Sequence, residues 1–181
     1  MLTKITAAIL LLALFGIVWT SDAIDGANAS VGIGAPGQAP ALQLALNSGA
    51  LIMNESSYKS FLGMVQGMYR EDFNYSGGIL ENYVNKTISD RDAMVATTSV
   101  FILTSHSIAL LEANIPPNVY ENAYNNTLLS MIHLRAFLWN MSKFYETSKN
   151  TSKNAYLVQA RKNLNDSVSY YKIAQETLML P

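Results

Sequence analysis

Eight asparagines stand two positions before a serine or threonine, and this triplet is the signal for attaching an N-linked glycan to the asparagine side chain. With 16 asparagines in the chain and a Ser/Thr frequency of roughly 0.15, chance predicts about 2.5 such triplets. The excess predicts an exported glycoprotein. The triplets begin at Asn28, Asn54, Asn74, Asn85, Asn125, Asn140, Asn150 and Asn165, and none has proline in the middle position.

The two histidines, His106 and His133, are the residues that could hold haem or a metal between facing helices. If the chain turns back near Ile115 and Pro116, they lie about eight residues out of register, or roughly 12 Å along the helix axis. His133 also points away from the apolar side of its helix. We therefore expect no metal site and no cofactor, with an axial pair of His106 and a methionine as the weaker alternative. His106 is interpreted as a hydrogen-bonded core histidine, or as the polar group of a pocket.

No catalytic constellation accompanies these residues. The chain has no cysteine, which excludes disulfides, thiolate metal sites and cysteine nucleophiles. It also lacks the Glu-x-x-His pairs of di-iron bundles and the Gly-x-Ser-x-Gly elbow of serine hydrolases. The glycine-rich stretch at residues 32–37 has no lysine and no preceding strand, so it is interpreted as a linker. We expect no catalytic residue and no enzymatic activity.

Composition limits the partners and the environment. Half of the residues are hydrophobic, 14% are charged, and the net charge is −1. This composition predicts a folded chain. The chain also lacks the concentration of basic residues that is typical of a nucleic-acid-binding protein. Many glycan acceptors without cysteine are more typical of an archaeal surface protein than of a disulfide-stabilised secreted domain.

The N-terminus has the features of a targeting segment. Lys4 precedes an uncharged run over residues 5–21, and Ser21-Asp22-Ala23 has the small-x-small form of a cleavage site. Residues 1–23 are therefore predicted to be a signal peptide or a membrane anchor, with the rest of the chain outside the cell. Residues 24–39, rich in Gly and Pro, are predicted to be a linker, and residues 40–181 a helical bundle domain.

Apolar residues recur at intervals of three and four from Pro40 onward, which predicts helices and no strands. The first helix is expected to begin at Pro40, and Gly49 or the polar residues 54–57 can kink or split it. Gly77-Gly78 is expected to end it, before a short helix at 79–88. Further helices are predicted from the capping sequence at residues 89–92 to about Ala113, from Pro117 to about Lys149, and from Asn150 or Thr151 to about Leu180.

The last two helices carry heptad patterns, in which apolar residues alternate at spacings of four and three. Asn125 and Asn140 are predicted to lie on the solvent side of the first of these helices, and Asn165 on the flank of the second. Four amphipathic helices with short links predict an all-α antiparallel four-helix bundle with an extra short helix. The two patterns comprise Tyr120, Tyr124, Thr127, Met131, Leu134, Leu138, Met141 and Tyr145, then Leu157, Ala160, Leu164, Ser167, Tyr171, Ala174 and Leu178.

Residues 93–111 contain no charged residue, and a helix of this length could span a membrane. Its many Ser and Thr residues weaken that interpretation. Glycan acceptors also stand on both sides of it in the sequence, and a single span would separate them. We therefore predict a buried central helix.

Together these features predict an exported, N-glycosylated, non-catalytic bundle that acts as a structural or interaction component of the cell surface. It would serve in an envelope, in a filament, or as the outer subunit of a membrane complex. Its expected partners are other cell-surface or membrane proteins, including copies of itself, with membrane contact only through a retained N-terminal segment. The alternative is an extracytoplasmic ligand-binding or sensory bundle with a pocket between helices.

Overall fold

The computed structural model describes residues 53–179, and this part of the chain forms four α-helices without strands. They are α1 (Glu55–Val84), α2 (Asp90–Glu112), α3 (Glu121–Glu146) and α4 (Asn150–Met179), with a 3₁₀-helix at Asn118–Tyr120 before α3. The all-α prediction is confirmed. The predicted signal or anchor, the linker, the helix start at Pro40 and the acceptor Asn28 all lie outside the described residues.

Contacts between neighbouring helices give the bundle its antiparallel order. The hydroxyl of Tyr58, near the start of α1, donates to the carbonyl of Asn114, just beyond the end of α2, at 3.4 Å. Thr98 in α2 lies 3.2 Å from Ser142 near the end of α3, measured between the hydroxyl oxygens. The Ser167 hydroxyl of α4 donates to the Ser130 carbonyl of α3 at 2.8 Å. Successive helices therefore run in opposite directions, and the α3–α4 pair is the most extensive.

The two predicted heptad patterns form the α3 and α4 sides of the core. Burying a leucine-sized side chain stabilises the fold by about 1.5–3 kcal/mol, so these rows supply much of the driving force. Tyr120, Tyr124 and Leu178, at the ends of the rows, are only half-buried, and so is Tyr171 within the second row. The buried members are Thr127, Met131, Leu134, Leu138, Met141 and Tyr145 of α3, and Leu157, Ala160, Leu164, Ser167 and Ala174 of α4.

The start of α2 is fixed by a capping box, as the sequence predicts. The Ser89 hydroxyl accepts from the Asp92 backbone N–H at 3.1 Å, and the Asp92 carboxylate accepts from the Ser89 backbone N–H at 3.3 Å. Two otherwise unpaired backbone donors are thereby satisfied. The hydrogen bonds from Ser89 hold the pKa of Asp92 below its ordinary value.

The predicted break at Gly77-Gly78 and the separate short helix at 79–88 are wrong. Helix α1 continues through both glycines to Val84, because Ser76 and Leu80 are buried on either side of them. Such packing outweighs the roughly 1 kcal/mol by which each glycine weakens a helix. The helix ends at Val84, and Lys86, two residues further on, has the left-handed φ of 58°. The Thr87 N–H donates to the Asn82 carbonyl at 2.9 Å. This bond and the left-handed residue form a Schellman-type end.

Helix α2 contains the uncharged residues 93–111, and its length and composition would allow it to cross a membrane. Only 33% of its most apolar 18-residue stretch is buried in the bundle. The prediction of a buried central helix is wrong in this respect, because a four-helix bundle turns only one side of each helix toward the core. The buried side is itself spaced by four and three, comprising Ala93, Thr97, Val100, Thr104, Ser107 and Leu111. The opposite side is exposed.

Candidate functional site

A polar layer crosses the core between α1, α3 and α4. Ser167 and Ser130 are fully buried and Tyr69 is 2% exposed. Because the Ser167 proton goes to the Ser130 carbonyl, the Tyr69 hydroxyl must be the donor in its 2.8 Å bond to Ser167. The Tyr69 ring also stacks on Tyr171, with centroids 4.3 Å apart. Burial raises the pKa of Tyr69 well above its usual value, so the hydroxyl stays protonated and joins three helices.

A second polar contact joins α1 to α2 through a buried carboxyl group. Asp72 is 7% exposed, and its Oδ2 lies 2.7 Å from the Thr104 hydroxyl. That hydroxyl also lies 3.0 Å from the Val100 carbonyl, and its single proton cannot serve both acceptors fully. Burial raises the pKa of Asp72, although the Thr104 bond opposes the shift. A protonated Asp72 would donate to Thr104 and leave the threonine proton for Val100.

We expect Asp72→Asn to raise the thermal midpoint at pH 7, because an amide can donate to Thr104 without burying a charge. A raised pKa in the folded state means that this group's stabilisation is complete below the unfolded pKa. It is lost as the pH rises through the folded pKa. The gain should therefore shrink toward pH 3. Thermal melts of both proteins followed by circular dichroism at pH 3 and pH 7 test this, and an equal gain at both pH values would contradict it.

The structure does not bring the two histidines together. His106 is exposed on the outer side of α2, so its interpretation as a core or pocket histidine is wrong. It follows the buried Thr104 by two positions, which turns it about 200° around the helix. His133 is half-buried between α3 and α4, where its ring stacks on Tyr170 and its Nδ1 lies 3.3 Å from the Asn163 amide oxygen.

The exposed side of α2 carries its own row of residues spaced by four and three. We call this row the outer face of α2. Val95 is 54% exposed and Ile102 is 49% exposed. The half-buried Phe101 and the 52% exposed Trp139 of α3 flank the row on one side, with ring centroids 5.9 Å apart. Its members are Val95, Ser99, Ile102, His106 and Ala109, and all five are exposed.

Seven of the predicted glycan acceptors lie in the described part of the chain. Asn54, Asn74, Asn85, Asn125, Asn150 and Asn165 are exposed, which agrees with the prediction for Asn125. Asn140 is only half-exposed, because its amide nitrogen folds back to donate to the Ala136 carbonyl at 2.7 Å. The acceptors lie on α1, α3, α4 or next to helix ends, and none belongs to α2.

The hydroxyl residue of three triplets has a packing role of its own. Thr127 and Ser167 are fully buried and Ser76 is 7% exposed, while their asparagines point outward. This follows from helical geometry, since positions two apart lie about 200° around the axis. Core packing therefore accounts for part of the excess of acceptor triplets.

Within residues 53–179, no three His, Asp or Glu side chains converge in a way that could hold a metal ion. Over the same residues every fully buried side-chain nitrogen or oxygen has a hydrogen-bond partner. The buried polar groups thus serve packing, and the outer face of α2 is the part of this region with the least evident structural role.

No known protein family matches the chain, and neither a curated protein nor a solved structure is significantly similar to it.

Proposed function

We propose that this protein is an exported, N-glycosylated helical bundle that acts at the cell surface as a non-catalytic structural or interaction component. The observation that carries the proposal is the separation of two surfaces. Exposed acceptor asparagines occur on the other helices and links, whereas α2 has no acceptor and no charge over residues 93–111. Glycans would cover the former surfaces and leave the outer face of α2 available for protein contact.

The sequence around this bundle supports the same proposal. The N-terminal run is typical of a signal or anchor, and the absence of cysteine beside many acceptors fits an archaeal cell surface. Contact with the membrane would be limited to residues 1–23 where these are retained.

A ligand-binding bundle is the weaker candidate. A pocket that orients a ligand needs polar groups whose hydrogen bonds the protein leaves for the ligand to complete. In the described region Tyr69, Asp72 and Gln66 instead find partners in Ser167, Thr104 and Thr127. These satisfied contacts favour a packed core.

Asn165→Gln is expected to remove one glycan, because it deletes an exposed acceptor of α4. Asn154→Gln is the matched control, since Asn154 is also exposed on α4 but is followed by Ala155 and Tyr156, so it is not an acceptor. Intact-mass and glycopeptide spectrometry of protein purified from its native membrane or medium would show the loss of one glycan mass for the first variant only. The same spectra report whether residues 1–23 remain. Unmodified protein that retains an uncleaved start inside the cell would refute the proposed function.

A further inference from the structure

We infer that the outer face of α2 is a self-association surface, on which a second copy of this chain packs its own α2 in antiparallel orientation. This inference rests on the proposed function, and it names one partner for the surface that the proposed glycans would leave uncovered. Val95, Ser99, Ile102, His106 and Ala109 are spaced by four and three, which is the spacing of helices that pack along their length. Helix α2 therefore has two such rows, and the bundle core uses only the inner one.

Three hydroxyl groups on and beside this surface already have hydrogen-bond partners within α2. The hydroxyls of Thr98, Ser99 and Ser105 donate to backbone carbonyls one turn earlier, at 2.8, 3.0 and 2.8 Å. A hydroxyl that already has an acceptor within its own helix loses little when another surface covers it. The small Ser99 and Ala109 side chains also let a second helix approach closely.

Charge decides the orientation of the pair. With Ile102 at the twofold axis, Val95 faces Ala109 of the second copy, and the exposed Arg91 comes within one residue of the level of Glu112 of that copy. Asp92 is level with Glu112 but lies about 100° around the helix from Arg91, further from the middle of the outer face of α2. The positive helix start of each copy also lies beside the negative helix end of the other. A parallel pair would instead place Arg91 beside Arg91 and align the two helix dipoles unfavourably.

Charge also favours protein over lipid as the occupant. Helices that lie in a membrane surface are typically rich in Lys and Arg along their polar side. Arg91 is the one Lys or Arg of α2, and Asp90, Asp92 and Glu112 stand at its ends. Helix α2 therefore lacks the basic residues by which such helices are attracted to anionic lipids.

The test uses the full chain, whose lack of cysteine makes any introduced thiol unique. Ile102→Cys places a thiol at the proposed twofold axis, where the two copies approach most closely. Val158→Cys on α4 is the control, because Val158 is 65% exposed and lies outside the proposed contact. After mild oxidation in isolated envelopes, we expect a disulfide-linked dimer for Ile102→Cys and a monomer for Val158→Cys on a non-reducing gel.

A charge reversal tests the orientation in the same Ile102→Cys background. Arg91→Glu is expected to lower the dimer yield several-fold, and adding Glu112→Arg should restore it. Circular dichroism of each purified variant shows whether the helices remain intact. Failure of the second charge change to restore the yield would overturn the antiparallel arrangement.

Three outcomes would overturn self-association. They are a monomeric Ile102→Cys chain, equal crosslinking of both cysteine variants, or an Ile102→Cys adduct that contains a different protein. Protection of the thiol from a polar maleimide by membranes, without any crosslink, would point to lipid contact instead. If the monomeric variant is still exported and glycosylated, self-association fails while the proposed function stands. If the unaltered chain is not exported, or is not glycosylated, the proposed function is refuted, whatever the crosslinking result.

Discussion

Leu134→Ala is expected to destabilise the bundle by about 2–5 kcal/mol, because it removes a fully buried side chain and leaves a cavity. Leu134 lies in the middle of α3, the helix that packs most extensively against both α2 and α4. Because α3 is packed against both neighbouring helices, its surroundings can relax only partly around such a cavity. Urea denaturation of the purified chain, followed by circular dichroism, measures the loss.

Leu129→Ala is the matched control for this substitution. Leu129 lies on the same helix and loses the same atoms, but it is 37% exposed. Part of its surface already faces water, so the loss should be below about 1.5 kcal/mol. Similar losses for both variants would contradict the position of the core.

Thr104→Val is expected to destabilise the protein by about 1.5–3 kcal/mol at pH 7, the usual range for a hydrogen bond to a charged group. The valine has nearly the same shape, but it removes the donor that faces the buried Asp72 carboxylate at 2.7 Å. Without this bond the carboxylate is still shielded from water by burial, but it has lost the hydrogen bond that stabilises its charge. The pKa of Asp72 therefore rises further.

The sign of the pH dependence follows from that rise. A carboxyl group with a raised folded pKa favours the folded state most when it is protonated, and this contribution is lost as the pH rises through the folded pKa. The difference between Thr104→Val and the unaltered protein should thus be larger at pH 7 than at pH 3. Thr104→Ser keeps the hydroxyl and is the control, with a smaller and less pH-dependent loss. Urea titrations at both pH values measure the three proteins, and a pH-independent loss would mean that Asp72 is not the group involved.

The parts of the fold that the sequence predicts are those encoded by repeated local patterns. The rows around Met131 in α3 and Leu164 in α4 place one residue per turn on the same side, and burial follows directly. The start of α2 is equally readable, because Ser89 and Asp92 satisfy each other's backbone groups within four residues. Such features need no knowledge of distant neighbours.

The errors arose where distant packing decides the structure. Gly77 and Gly78 look like a break, but Ser76 and Leu80 on either side are held in the core by other helices. Their contribution cannot be read from the glycines alone. Similarly, the uncharged segment around His106 predicts a core position for this residue. Its true side depends on which of two rows in α2 faces the bundle, and both rows have the same spacing. The sequence contains the outer row, but only the packing of α2 on α1 and α3 identifies it as the exposed one.

If the chain is exported and glycosylated as proposed, the buried hydroxyls of its acceptor triplets would constrain the order of glycosylation and folding. An enzyme that selects Asn125 or Asn165 by its triplet must reach Thr127 or Ser167, and both are fully buried once the helices pack. Any glycan at these positions must therefore be attached while the chain is still unfolded. The triplet at Asn85 lies in the link between α1 and α2 with Thr87 exposed, so it remains reachable after folding. The ratio of glycan occupancy at Asn125 to that at Asn85 would thus report the rate of folding relative to the rate of glycosylation.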